Sequence, residues 1–456
     1  MSFEKVFLKT SALATAVLVG VSAAHAVPFS DLLMGSAAED GSAREAAMGG
    51  TGATTATGAD AVTANPARLG DAKGFDLRVH ASVLGDDERR SFPVHDSFSG
   101  YLADNVYALN GGHHVYGGFS ATWKGDSSLL PTLGISWRPS TVFDYDYHED
   151  VLSPFLFRSD FPEDVRASLP GQNYVSDFKD LPLGSNTFEM SGQVDRLTLA
   201  AGLDLTSDLD VGVALYFDQL DLATTQRTVY DSITVVDQIS GDVWNGALLP
   251  YDPRESTQTV TGSASGWSLG AVYRLGNRFE VSGTAEGAVS MDRKSTTSVL
   301  GDTTDVTDTA ETTHPGRYTI GILFHPVNEI RSRVAAQLDY EPWEAEADLP
   351  GEEDVYDVLR WRLGVEHILP GGTPFRFGFV YGPSYSGAER NRVSFTAGTG
   401  FAAGPVDVDI AGKIGYAAYR TPDLFADSLF ASPDRTENDR IEERTYGAMA
   451  TLRWRF

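Results

Sequence analysis

Alternation of apolar and polar residues, repeated from about residue 75 to the carboxy terminus, constrains the fold of this chain more than any other feature. The first such segment carries one face of apolar side chains, formed by Phe75, Leu77, Val79, Ala81 and Val83. The residues between them are Asp76, Arg78, His80 and Ser82. A period of two is that of a β-strand whose two faces lie in different environments. The chain is therefore predicted to be all-β.

Short turn motifs divide these segments into antiparallel hairpins. Gly276-Asn277 and Pro370-Gly371-Gly372 each separate two alternating segments, and Gly/Asn turns are a strong hairpin signal. The count gives about fourteen strands, with the third predicted at 131–138 and the fourth at 192–205. Phe98 to Asn110 is assigned to a loop, because only this assignment keeps long and short connections alternating.

The pattern of connections indicates which kind of β-protein this is. Long loops are predicted at 139–191, 223–257 and 421–442, and they alternate with short turns. Bacterial membrane barrels have an even number of strands, short turns at one end and longer outer loops at the other. Residues 75–456 are therefore predicted to form a transmembrane antiparallel β-barrel of about 14 strands in contact with outer-membrane lipid.

The last strand ends on aromatic residues. Trp454 and the terminal Phe456 share its apolar face, which resembles the assembly signal of bacterial outer-membrane barrels. The resemblance implies that the barrel assembly machinery is a partner during biogenesis. A soluble β-sandwich is the alternative, but aromatics near strand ends, such as Trp267 and Trp361, favour the interfacial girdles of a membrane barrel.

The amino terminus has the three parts of a secretory signal peptide. Lys5 and Lys9 precede an apolar stretch from residue 12 to 24, which ends at Ala24-His25-Ala26. Residues 1–26 are predicted to be removed, because the apolar stretch is too short for a spanning helix of about 20 residues. The predicted location is the bacterial outer membrane, which closed barrels can span.

Composition excludes several functions. The chain has 35 basic and 63 acidic residues, a formal net charge of −28, and no cysteine. Such acidity disfavours nucleic-acid binding, and the lack of cysteine excludes disulfides and thiolate metal sites. His113 and His114 are adjacent on a strand and face opposite sides. We therefore predict no catalytic residues, no metal and no cofactor.

Residues 27–74 differ from the rest in being rich in Gly, Ala, Ser and Thr. They include Gly49-Gly50 and Asn65-Pro66-Ala67. This segment resembles the N-terminal hatch of the FadL/TodX family of outer-membrane transporters for long-chain fatty acids and hydrophobic compounds. The resemblance implies a plug inside the barrel and passive transport of a hydrophobic ligand. Alternatives are a disordered tail or a partner-binding barrel of the PorV type that serves protein secretion.

Two groups of residues are candidates for ligand binding. Apolar residues in the loop 139–191, among them Phe143, Phe155, Phe157 and Phe161, could capture ligand at the outer surface or fold the loop over the barrel mouth. Inward-facing arginines could receive a carboxylate or pair with carboxylates of the hatch and wall; they are Arg196, Arg317, Arg360, Arg362 and Arg376. Pro131 and Gly134 could bend the third strand, a bend that the family resemblance implies.

Overall fold

The computed structural model describes most of the chain after residue 27. The described residues are 28–38, 41–70, 72, 74–95, 98, 100–125, 130–152, 182–236, 243–247, 249, 251–327, 331–349, 354–430 and 437–456. The predicted signal peptide and the candidate residues Phe155, Phe157 and Phe161 lie outside the described residues. Within the described part of the chain, no helix is long and apolar enough to cross a membrane.

Fourteen antiparallel strands close into a barrel, which confirms the predicted fold. The strands are β1 Phe75–His95, β2 Tyr101–Trp123, β3 Thr132–Leu152, β4 Pro182–Asp204, β5 Leu209–Tyr230, β6 Arg254–Leu275, β7 Phe279–Glu286 with Val289–Val299, β8 Val306–His314 with Arg317–Phe324, β9 Arg333–Glu341, β10 Val358–Ile368, β11 Pro374–Ser384, β12 Gly387–Ala403, β13 Val406–Thr421 and β14 Asp439–Arg455. The barrel closes where β14 pairs with β1, and Arg455 lies opposite Asp76.

The outer face of the wall carries an apolar band between two aromatic levels. At the level near the chain termini, Phe75 lies opposite Trp123 and Phe279 opposite Phe324. At the other level, Trp361 lies opposite Tyr381, and the Trp361 side chain is 52% exposed. An apolar band with aromatic residues at both edges is typical of a barrel wall that faces lipid.

Several strands continue further than predicted beyond the second aromatic level. β3 extends to Leu152 and β4 begins at Pro182, so both ends of the predicted loop 139–191 are strand. The assignment of Phe98 to Asn110 to a loop was also wrong, because β2 already begins at Tyr101. The residues from Tyr101 onward lengthen β2 and do not form an additional strand. Outside the apolar band the outer face meets water, so alternation no longer marks a strand clearly.

The other two predicted loops also contain regular structure. In 223–257, β5 continues to Tyr230, a hairpin pairs Ser232–Val236 with Val243–Ala247, and β6 begins at Arg254. In 421–442, a 3-10 turn spans Asp427–Phe430 and β14 begins at Asp439. The described parts of these connections are therefore shorter than predicted.

The hatch fills the lumen with short helical segments. They are α1 Ala43–Ala47, α2 Gly52–Thr55 and α3 Ala61–Ala64, with 3-10 turns at Phe29–Asp31, Gly58–Asp60 and Pro66–Leu69. A further short helix, α4 Trp343–Glu346, lies between β9 and β10. Small side chains let the irregular hatch backbone approach the inner wall, where its polar groups find partners.

The two hatch motifs singled out in the sequence have defined structural roles. Gly49 and Gly50 both have positive φ, 71° and 70°, a conformation that glycine adopts without steric cost. The Asn65 side chain accepts a hydrogen bond from the Ala67 backbone N–H at 3.1 Å and donates to the Ala53 carbonyl at 2.9 Å. Asn65 thereby caps the turn that Pro66 begins.

Candidate functional site

A β-bulge in β3 turns its outer half into the lumen. Below the bulge, Ile135 and Trp137 are exposed on the outer face. The register with β4 shifts between Pro139 and Thr141, and the extra residue reverses the side-chain alternation. Beyond it, Phe143 and Tyr147 are buried, at 4% and 0% exposure. The sequence analysis placed Phe143 in an exposed outer loop. This prediction is wrong, because Phe143 lies in the interior of the barrel.

The bulge also separates β3 from β2. The two strands pair only where Phe119–Trp123 meets Leu133–Trp137. Further out, β3 pairs instead with Ser36–Ala37 of the hatch. The bend thus lies at Pro139–Ser140, whereas the predicted bend residue Gly134 sits in regular strand opposite Thr122.

Side chains bridge the separated stretches of β2 and β3. His114 of β2 pairs with Asp144 of β3, and the Asn110 side chain accepts a hydrogen bond from the His148 backbone N–H at 3.1 Å. Tyr116 packs with Val142 in a small buried cluster. The wall is therefore closed here by side chains rather than by a backbone ladder.

An aromatic cluster with a buried cation occupies the outer half of the lumen. The Arg90 guanidinium lies 4.3 Å from the centre of the Phe29 ring and 4.5 Å from that of Tyr147. It also pairs with Glu88 at 2.5 Å and donates to the Tyr145 hydroxyl at 2.9 Å. Cation–π contacts strengthen when the cation is desolvated. Arg90 was not among the residues predicted from sequence; it lies on the buried inner face of β1, which it shares with Arg78 and Glu88.

The first described segment of the hatch, residues 28–38, crosses the lumen as a strap. At one end, Ser36–Ala37 pairs with β3. Elsewhere the Met34 backbone N–H donates to the Tyr385 hydroxyl at 2.8 Å, and the Ser30 N–H donates to Glu443 at 3.1 Å. Arg392 pairs with Asp31 at 3.2 Å. The strap is thus held by β3 on one side and by the turn between β11 and β12, by β12 and by β14 on the other.

A cavity of about 300 Å³ lies between the strap and the inner wall. Its described lining carries many basic side chains, namely Arg138, Arg196, Arg317, Arg360, Arg362, Arg390, Arg392 and Lys413. The acidic side chains that line it are Asp31, Asp218, Glu286 and Glu341. Apolar residues, including Met34 and Met291, complete the lining. A basic cavity inside a strongly acidic protein favours a ligand that carries negative charge.

Four of the five arginines predicted from sequence line this cavity, and each has a carboxylate partner. Arg196 makes two hydrogen bonds to Asp218, both of 2.8 Å, and its guanidinium lies 3.8 Å from the Tyr216 ring centre. Arg317 pairs with Glu286 at 2.9 Å. The wall thus holds these guanidinium groups in fixed positions.

The remaining predicted arginines connect the wall to the hatch or to other strands. Arg360 pairs with Glu341 at 3.5 Å. Arg362 pairs with Asp339 at 2.6 Å and donates to the Gly49 carbonyl at 3.3 Å. The fifth predicted arginine is absent from the cavity lining, and it pairs with two carboxylates: Arg376 with Glu366 at 2.8 Å and Asp409 at 2.6 Å.

Four of the basic lining residues were not among those predicted from sequence, namely Arg138, Arg390, Arg392 and Lys413. Arg390 and Arg392 are on the inward face of β12, whose outer face carries Phe395 and Phe401. Their parity along the strand would have placed them inside. That they meet the strap could not be predicted, because alternation along a strand does not show the path of the hatch through the lumen.

Further buried ion pairs fix the hatch to the wall. Arg78 of β1 pairs with Asp60 at 2.6 Å, and both side chains are almost fully buried. Arg68 of the hatch pairs with Glu280 of β7 at 3.0 Å. No group of three His, Asp or Glu side chains suited to a metal ion occurs among the described residues.

Solved structures of other proteins share this fold. A FadL homologue of Pseudomonas aeruginosa aligns with a TM-score of 0.63 and 9% identity over 92% of this chain and 99% of its own. The toluene transporters TodX of Pseudomonas putida and TbuX of Ralstonia pickettii align over the same shares, with TM-scores of 0.57 and 0.55 and identities of 16% and 17%. No family model and no curated protein matches the sequence.

These comparisons confirm the FadL/TodX resemblance at the level of the fold. The shared architecture is a fourteen-strand barrel with helical segments at its amino terminus. Because the sequence identities are low, what each relative carries says nothing direct about the ligand of this chain.

Proposed function

We propose that this chain is a bacterial outer-membrane transporter through which hydrophobic small molecules pass passively. The single observation that carries the proposal is a hatch-filled barrel with an apolar outer band and a cavity beside the strap. The fold shared with a FadL homologue and with toluene transporters supports it. Transport in this account involves binding and passage, with no chemical step.

The proposed route begins at the outer end of the barrel. Ligand is captured by the apolar residues that the sequence places in the loop after β3, including Phe155, Phe157 and Phe161, and then meets the aromatic cluster around Phe143 and Tyr147. The ligand next binds in the cavity beside the strap. Its arginines would hold a polar head group while apolar lining residues contact the remainder of the ligand.

Two ligand classes suit this proposal. The sequence resemblance suggests long-chain fatty acids, whose carboxylate would meet Arg196 or Arg317. The toluene transporters among the structural relatives suggest small aromatic compounds. Both classes need an apolar route through the outer membrane, so the transport proposal does not depend on which of them is correct.

A displacement assay tests the proposal. Purified barrel, shown to be folded by its heat-sensitive electrophoretic mobility, is mixed with a fluorescent fatty acid, and oleate or toluene is added. Saturable displacement that weakens in Arg317→Ala, while Arg455→Ala behaves as wild type, is the expected result. Arg455 is a matched control because it is an exposed arginine paired with Asp407.

Failure of the assay would have a definite meaning. If no hydrophobic compound binds saturably to folded barrel, the transport proposal is wrong. A partner-binding barrel of the PorV type would then be the account to test, by measuring association with other outer-membrane proteins.

A further inference from the structure

Basic residues surround the cavity on many sides. The eight arginine and lysine side chains that line it come from β3, β4, β8, β10, β12 and β13. The described lining carries four carboxylates against these eight basic side chains, and Asp339 and Glu443 pair with Arg362 and Arg392 from behind it. Rings of arginine and lysine side chains give anion selectivity to pores and constrictions.

One of these eight basic residues, Arg390, contacts only uncharged groups within the described part of the chain. Arg390 donates to the Ser386 hydroxyl at 3.0 Å and to the Thr421 hydroxyl at 3.2 Å. Its guanidinium also lies 5.0 Å from the centre of the Tyr419 ring. Neither hydroxyl carries charge, so the positive charge of Arg390 is not neutralised by these contacts.

Two buried donors on β12 point to an anion beside Arg390. The Nε atoms of Arg390 and Arg392 are buried and have no hydrogen-bond partner within the described part of the chain. The two residues are two positions apart, so they share the inward face of β12. An unsatisfied buried N–H of a charged group is costly, and a carboxylate would accept from both.

The size of the cavity and the spread of charge restrict the ligand further. A volume of about 300 Å³ is at the lower end of the range for small-molecule pockets. A long alkyl tail anchored at one side would press methylene groups against guanidinium groups at the other side and strip their water. A compact ring with an acidic group at each end would instead meet basic residues in both directions.

We propose that the cavity selects compact cyclic dicarboxylates, of the benzenedicarboxylate kind, over neutral hydrocarbons and long-chain fatty acids. This inference rests on the proposed function for passage through the barrel, and it goes beyond that function by assigning a compact anion, rather than a hydrophobic compound, to the cavity. One carboxylate is received by Arg390 and Arg392 on β12. The other meets Arg138 and Arg196 on β3 and β4, which lie across the barrel from β12.

Calorimetric titration of the full folded chain in detergent tests this inference. The probes are terephthalate, benzoate, toluene and oleate. Terephthalate is expected to bind about tenfold more tightly than benzoate, since one additional charged hydrogen-bonding group is worth roughly that factor or more. The affinity for terephthalate is expected to fall as sodium chloride is raised, because salt screens charge attraction.

A pair of arginine variants locates the site. Arg390→Gln is expected to weaken terephthalate binding by about tenfold or more, whereas Arg390→Lys, which keeps the charge, loses less. Arg420→Gln is the matched control, because Arg420 is exposed on the neighbouring strand and donates to the Asn438 carbonyl. It is expected to bind terephthalate as wild type does.

The possible outcomes separate this inference from the transport proposal. Tighter binding of toluene or oleate than of terephthalate would overturn the dicarboxylate inference and support transport of a different ligand. Terephthalate binding that Arg390→Gln leaves unchanged would overturn the assigned site. Absence of binding by all four probes to folded barrel would overturn both proposals.

Discussion

Arg44 of the hatch and Glu366 of β10 form a bidentate ion pair inside the barrel. Nε of Arg44 lies 3.0 Å from Oε1 of Glu366, and Nη2 lies 3.0 Å from Oε2. The remaining nitrogen of Arg44 donates to the Thr55 carbonyl at 2.7 Å, and Arg376 also donates to Glu366. Planar pairing of this kind fixes geometry as well as charge, so α1 is held in one place on the wall.

Replacing Arg44 tests how strongly this pair holds the hatch. Arg44→Ala leaves a buried carboxylate without one of its cations, and loss of one partner of a buried pair costs about 3 kcal/mol or more. The free energy of unfolding, measured by urea titration of barrel in lipid vesicles, should fall accordingly. Arg455→Ala removes an exposed pair and should cost less than about 1 kcal/mol. Equal losses in the two variants would show that the hatch is not anchored through Arg44.

The close approach of hatch and wall gives a second prediction. A Cβ atom at Gly212 of β5 would lie 2.2 Å from the carbonyl carbon of Pro66, so Gly212→Ala forces the backbones apart. The expected loss is about 1–3 kcal/mol of unfolding free energy. At Gly371, in the turn between β10 and β11, a Cβ would meet nothing within 4 Å. Gly371→Ala should therefore leave the urea midpoint unchanged, and a similar shift in both variants would contradict the packing described.

The bulge in β3 can be tested by removing one residue. Deleting Ser140 restores regular alternation and turns Phe143, Tyr145 and Tyr147 outward, away from the lumen. Fewer molecules should fold, and the strap, which pairs with β3, should become sensitive to protease. Deleting Thr303 from the exposed connection between β7 and β8 is the matched control, since such sites tolerate length changes. A normally folded, protease-resistant Ser140 deletion would contradict the role given to the bulge.

The barrel itself could be predicted from sequence because lipid imposes one environment along the whole outer face. Leu363 and Val365 of β10, for example, alternate with Arg362 and Gly364, and each predicted face is the observed one. The bulge at Pro139 could not be predicted, because a shift of one residue leaves the composition of the strand unchanged. It moved Phe143 from a predicted outer loop to the interior.

The candidate site was predictable only in part. Alternation places Arg317 on the inner face of β8, but its pairing with Glu286 depends on the register of β8 against β7. The position of the cavity depends on the path of the strap. The strap belongs to the hatch, whose small residues give no periodic signal from which that path could be predicted. Sequence therefore indicated which side chains face the lumen, while the structure was needed to bring Arg390, Arg392 and the strap together.

The most direct test of the central claim is uptake of radiolabelled oleate, toluene and terephthalate by cells that carry the chain in their outer membrane. Cells that carry only the empty expression vector give the background. The account predicts saturable uptake of at least one compound above background, reduced by Arg317→Ala or Arg390→Gln and unchanged by Arg455→Ala. Folded barrel in the outer membrane with no uptake above background for any of the three would contradict it.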